Sequence, residues 1–163
     1  KGKRLREVLQ LEKDSTIPIV PYVKVRLSKK FHIYDSSVFP NTPILAKYAR
    51  YYFFYDVQDV NPGESMTDQW VNTRKKFLNE ANDDYFYHET YKNYAPENLV
   101  INEKKFSVLV DGIVVYGAAT LIEYENKRHF FHFIAKDRID AKPNYAFLRR
   151  YMNYYLKIKV PST

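Results

Sequence analysis

The 163-residue chain has no cysteine, which excludes a disulfide scaffold, a thiolate nucleophile, zinc-finger chemistry and iron–sulfur ligation. That absence is compatible with the cytosol and equally with an extracytoplasmic space in an organism that avoids thiols there. Glycine is almost as scarce, with four residues, none spaced as a G-x-G-x-x-G or Walker loop, so no phosphate-cradling turn of either kind is encoded. No run approaches the roughly 18 consecutive apolar residues of a membrane span, and no signal-peptide pattern is present. Because the sequence opens on Lys1 without a methionine, the expectation is a fragment of a longer chain, with room for a membrane helix upstream. The chain would then be the extracytoplasmic domain of a single-pass membrane protein, the alternative being a cytoplasmic one.

Tryptophan (one) and methionine (two) are rare, whereas 16 Tyr and 11 Phe bring the aromatic share to 17% of a chain that is 45% hydrophobic. Such a composition folds around a core and does not describe a disordered segment. The length is that of one domain able to bury roughly two-thirds of its unfolded surface. The net charge of +7 is uneven. Residues 1–30 carry nine Lys/Arg against three acids and residues 138–163 carry six against one, while the stretch between them is net acidic. Basic ends of this kind meet phosphates, in nucleic acid or at an anionic membrane surface, or else serve solubility. The expected division is a basic N-terminal segment with a short strand over 1–41 and a single α+β domain over 42–163.

Residues 1–13, KGKRLREVLQLEK, read as a short amphipathic helix, with Leu5, Val8 and Leu9 on one side. Pro18 and Pro21 then forbid a helix, and Val23, Val25 and Leu27 alternate with Lys24, Arg26 and Ser28 as a strand with one wet, cationic face. Thr42 and Pro43 suit a helix start, and Ile44, Leu45, Tyr48, Tyr51, Tyr52 and Tyr55 form a broad stripe. The spacing predicts a central core helix here, apolar over most of its circumference. Asn61-Pro62-Gly63 is a turn, and Ser65 with Asp68 three residues on starts a second helix bearing Trp70, Phe77 and Leu78, with Arg74, Lys75 and Lys76 largely elsewhere. A short third helix and a loop are expected before Pro96.

From Leu99 the period becomes two. Asp111-Gly112 marks a hairpin whose two strands are apolar on both faces, so both faces are expected to be covered. Gly117 predicts a bulge or bend. A second hairpin turns at Asn126-Lys127, pairing Glu125 with Arg128 and Ile122 with Phe131 and placing Thr120, Ile122, Tyr124, His129, Phe131 and Phe133 on one face. The stretch 144–160 begins irregular or helical and ends as a strand, Tyr154, Leu156 and Ile158 alternating with Tyr155, Lys157 and Lys159.

Reactive chemistry finds little footing. His129 and His132 lie three apart on a strand and point to opposite faces, which argues against a metal pair or a nicking nuclease. Asp83, Asp84, His88 and Glu89 read as a solvated helix end, and Glu123 and Glu125 share a strand face with Arg128 and His132 as cross-strand partners, a structural charge cluster. No catalytic, metal-binding or cofactor-binding residue is assigned, and no cofactor is expected. Aromatics interleaved with cations, as in residues 147–159, FLRRYMNYYLKIK, have the character of a single-strand nucleic-acid surface. The residues expected to meet an anionic partner are Lys29, Lys30, Arg149, Arg150, Lys157 and Lys159.

Apolar helices followed by a glycine-broken antiparallel meander resemble the nuclear transport factor 2-like cone, close in shape to cystatin. The resemblance is carried by ILAKYARYYFFY (44–55), IVVYGAATLIEY (113–124) and NYYLKIKV (153–160). It implies an α+β fold with N-terminal helices packed on a curved antiparallel sheet of about four strands. Within that fold the chain is similar to the bitopic assembly factors of type IV secretion and conjugation systems. That likeness implies a non-enzymatic scaffold acting through protein–protein contacts with other channel subunits or as a homo-oligomer. The other reading of the residues is a single-stranded nucleic-acid-binding module.

Overall fold

The computed structural model describes residues 15–27, 32–34, 44–48, 51–78, 85–94, 98–110, 113–137 and 145–159. Ten strands and two helices are seen among them: β1 (Ser15–Val20), β2 (Val23–Leu27), β3 (His32–Tyr34), β4 (Ile44–Tyr48), β5 (Tyr51–Asp59), α1 (Met66–Leu78), β6 (Tyr85–Tyr94), β7 (Val100–Val110), β8 (Ile113–Tyr124), β9 (Lys127–Asp137), α2 (Tyr145–Tyr155) and β10 (Leu156–Ile158). A large sheet has the order β3-β4-β5-β9-β8-β7-β6, and a small one the order β1-β2-β10, with all pairs antiparallel. The architecture is mixed helix and sheet, as expected. The helices are central and C-terminal, not N-terminal, and the main sheet has seven strands where about four were expected.

The largest departure lies at residues 44–59, where two paired strands replace the expected core helix. Tyr and Phe are strand formers, and a segment apolar on every side fits a strand buried on both faces as well as it fits a buried helix. The structure takes the first option: Phe53 and Tyr55 enter one core and Phe54 the other. The expected Thr42–Pro43 cap, the N-terminal amphipathic helix, Asp83 and Asp84 lie outside the described residues. The expected third helix is strand β6, which carries His88 and Glu89 and pairs with β7 through a register shift between His88 and Lys92.

The strands β5, β7, β8 and β9 of the large sheet are covered on both faces, in agreement with their apolar patterning. On one face Phe53, Tyr116, Ile122, Phe131 and Phe133 pack beneath α2 (Leu148, Met152, Tyr155) and the small sheet (Val23, Val25, Leu156). On the other, Phe54, Phe106, Leu121, Phe130 and Ile134 pack beneath Trp70 and Val71 of α1. Thus α1 lies on one side, and α2 with the small sheet on the other.

Local signals explain the turns. Glu64 N–H donates to Asn61 O at 3.1 Å and Gly63 has a φ of 84°, so Asn61-Pro62-Gly63 forms the expected turn. Ser65 Oγ accepts the N–H of Asp68 at 3.1 Å and caps α1. The β8–β9 hairpin turns one residue earlier than expected, at Glu125-Asn126, whose φ values of 48° and 64° fit a type I′ turn. Glu123, in place of the expected Glu125, therefore faces Arg128, and Ile122 faces His129 instead of Phe131. The expected one-face set survives this correction, because the register changes by an even number of residues.

The ladder runs unbroken past Gly117, with no bulge. A Cβ there would sit 2.6 Å from Ile134 Cγ2 and 2.8 Å from Phe106 Cζ, so the glycine makes room for the ring directly opposite it. Finally, Tyr154 and Tyr155 still belong to α2, and the strand begins only at Leu156. Tyr155 is consequently buried and Tyr154 exposed, the reverse of the expected alternation.

Candidate functional site

The outer face of the small sheet carries the most distinctive surface among the described residues. Val23, Val25 and Leu156 are buried beneath it, so the alternation of a strand turns Lys24, Arg26 and Lys157 outward. Register places Lys24 directly opposite Lys157 and Thr16 opposite Arg26. Lys159 N–H donates to Tyr22 O at 2.9 Å, which holds the end of the last strand against the β1–β2 turn. Thr16, Tyr22, Lys24, Arg26, Lys157 and Lys159 line one groove of about 800 Å³.

Four of these six residues are cationic and none is acidic. Among the described residues, Lys24, Lys157 and Lys159 form no ion pair. Like charges directly opposite one another on a sheet repel, and an anion between them turns that repulsion into attraction.

Two tyrosines flank the cations. Tyr154 is 41% exposed and is the exposed large hydrophobic residue among those described. It meets Tyr155 edge-on (centroids 4.8 Å apart, planes at 81°), and Tyr155 in turn stacks on Phe133 at 6.1 Å, which ties the exposed ring to the core. The guanidinium carbon of Arg26 lies 4.8 Å from the Tyr154 centroid and Lys157 Nζ lies 5.3 Å away, both within cation–π range. Tyr22 occupies the second central position of the Pro21-Tyr22 turn with a φ of 70°. A type II turn wants glycine there, and a bulky side chain in this left-handed region costs about 1–2 kcal/mol.

Of the residues expected to meet an anion, Lys157 and Lys159 line the groove. Arg149 and Arg150 sit on α2 outside it. Arg149 lies 3.6 Å from Glu103 of β7, and Arg150 is exposed. Lys29 and Lys30 lie outside the described residues. Lys24 and Arg26 had been legible as a cationic strand face. Their convergence with Lys157 and Lys159 depends on the β2–β10 pairing, which no local pattern announces.

The histidines serve the interior. His129 and His132 do diverge to opposite faces of β9. Tyr55 Oη and His129 Nδ1 share a hydrogen bond of 2.6 Å, and Trp70 Nε1–H donates to His132 Nε2 at 2.7 Å. Burial, reinforced by Lys127, pushes the His129 imidazolium down to about 4; burial and then Arg74 hold His132 well below its ordinary value. Burial and then Asp56 push the Tyr55 phenol up to about 12. Among the described residues, no three His, Asp or Glu side chains converge as a metal ligand set would, and no helix is long and apolar enough to cross a membrane.

No family model matches the chain, and no curated protein does. Among solved structures, a protein of unknown function from Pseudomonas aeruginosa is similar over 76% of this chain and 83% of its own, with 8% identity and a TM-score of 0.40.

Proposed function

We propose that the chain is a binding module, without a catalytic step of its own, whose three-stranded sheet receives an extended polyanion. The observation that carries this reading is the groove lined by Lys24, Arg26, Lys157 and Lys159, with no carboxylate among the described residues of its wall. Phosphates on a flexible backbone suit it, because each cation can take one charge without a preformed pocket of fixed shape. The other reading is an assembly domain of a conjugation or secretion channel within a cone-like fold, and it calls for contact through exposed aromatic sheet surface. Of the large-sheet rings whose side chains are described, Phe53, Phe54, Phe106, Phe130, Phe131 and Phe133 are buried and Tyr52 and Tyr124 half-buried, whereas Tyr154 beside the cations is exposed, which favours the polyanion.

The test is a salt titration of binding to labelled single-stranded dT20 and to long-chain inorganic polyphosphate. Four phosphate contacts give a log–log slope of about −3 on a single strand, and replacing Lys24 and Lys157 together with Gln lowers its magnitude by about 1.4. Affinity that ignores salt, or no binding of either polymer at low salt, contradicts the proposal.

A further inference from the structure

The cations and rings of the groove are arranged in rows. Lys159 and Tyr22 form one row, joined by the Lys159 N–H to Tyr22 O bond at 2.9 Å. Lys157 and Lys24 form the next as direct cross-strand partners. Arg26 with Tyr154 forms the third, the guanidinium 4.8 Å from the ring centroid. Successive outward residues on a strand are about 6.7 Å apart. That step is comparable to the spacing of phosphates along an extended single strand of nucleic acid.

Tyr154 distinguishes this surface from a plain basic patch. A phenol ring left 41% exposed, braced edge-on by a buried neighbour and with Arg26 and Lys157 over it, offers a base a ring to stack on as those cations turn to its phosphates. Polyphosphate would use the cations alone. An anionic membrane presents its headgroups as a plane and would not select for a ring at one end of the groove.

We propose that the occupant of this groove is single-stranded nucleic acid, with one base stacked on Tyr154 and the following phosphates passing Lys157, Lys24 and Lys159. This rests on the polyanion reading above and names its ligand.

The experiment compares labelled dT10, an abasic oligomer of the same length and charge, inorganic polyphosphate and phosphatidylserine vesicles, each against the wild-type chain, Tyr154→Ala and Tyr154→Phe. Expected are tighter binding of dT10 than of the abasic oligomer, and a loss of roughly ten- to hundredfold for dT10 in Tyr154→Ala. Tyr154→Phe keeps the wild-type affinity, because the ring stacks and the hydroxyl does not. Neither substitution changes binding of the abasic oligomer or polyphosphate. If the abasic oligomer binds as well as dT10, or Tyr154→Ala leaves dT10 unaffected, the stacked-base inference falls while the polyanion reading stands. If vesicles bind and the oligomers do not, the ligand is a headgroup surface and the inference falls. If none of the probes binds at low salt, both fall together.

Discussion

Gly117 shows how far one missing methyl can organise a sheet. Phe106 lies directly opposite on β7, and its ring occupies the space that a side chain at 117 would need. That ring meets Trp70 of α1 edge-on, with centroids 5.5 Å apart, and the guanidinium of the fully buried Arg74 lies over both rings at 4.8 and 4.9 Å. Gly117→Ala drives a methyl into Phe106 and Ile134 and is expected to destabilise the fold by about 1–3 kcal/mol, read as a lower denaturant midpoint with an unchanged slope. The glycine was visible in the sequence as an interruption of an apolar run, but its purpose was not. A bend and a space for a facing ring leave the same single-letter trace until the register is known. Arg74 was likewise assigned away from the buried face, because a cation one turn from Trp70 reads as solvent-facing until two aromatic rings are found to hold it.

At the level of elements, α1 is fastened to the sheet at its N-terminal end by a polar strap. Arg128 of β9 donates from Nε to Glu123 at 2.8 Å and from Nη1 to Gln69 Oε1 at 2.6 Å and Glu64 O at 2.8 Å. Gln69 Nε2 donates to Gln58 Oε1 and Asp59 O, both at 2.9 Å, and Gln58 Nε2 donates to Thr73 Oγ1 at 2.6 Å. Arg128→Ala strands the Gln69 and Glu64 acceptors at the helix start and is expected to cost about 1–3 kcal/mol, with amide exchange accelerating in 64–70 before it does in β8 or β9. A carboxylate–Arg128 pair across the hairpin was readable from the sequence, though with Glu125 in the place that Glu123 takes, as were α1, its Ser65 cap and the two-sided burial of β7 and β8. The strands β5 and β6 were not readable, for different reasons. The stretch around β5 is apolar on every side, so period alone cannot separate a doubly buried strand from a buried helix, while β6 mixes polar and aromatic residues with Tyr87, Tyr91 and Tyr94 at helical spacing.

For the molecule as a whole, burying His129 and His132 on opposite faces of β9 makes stability depend on pH. Both imidazoles are held neutral in the fold, His129 down to about 4 and His132 well below its ordinary value, whereas in the unfolded chain they take up protons near their usual 6.5. The unfolded state therefore binds more protons as the solution is acidified. The stabilisation is complete above pH 6.5 and is lost progressively toward pH 4. Urea midpoints measured at pH 7.5, 6.5 and 5.5 are expected to fall in that order, and a flat series would contradict the buried neutral state. The groove belongs to the same scale, because it exists only where distant pieces of chain meet. Its cations could be counted in the sequence, but their meeting could not be foreseen.

The pairing of β2 with β10 also has a consequence in time. Lys24 and Lys157 are about 130 residues apart along the chain yet face one another across a single ladder. The hairpins β7–β8 and β8–β9 join neighbours in sequence, so they close early in folding, while the small sheet waits for the most distant contact in the structure. During synthesis, β2 emerges long before its partner, and the cationic surface has no shape until β10 arrives. The cationic surface is thus the last part of this chain to take shape, and a polyanion bound there, as proposed above, would report that folding had finished.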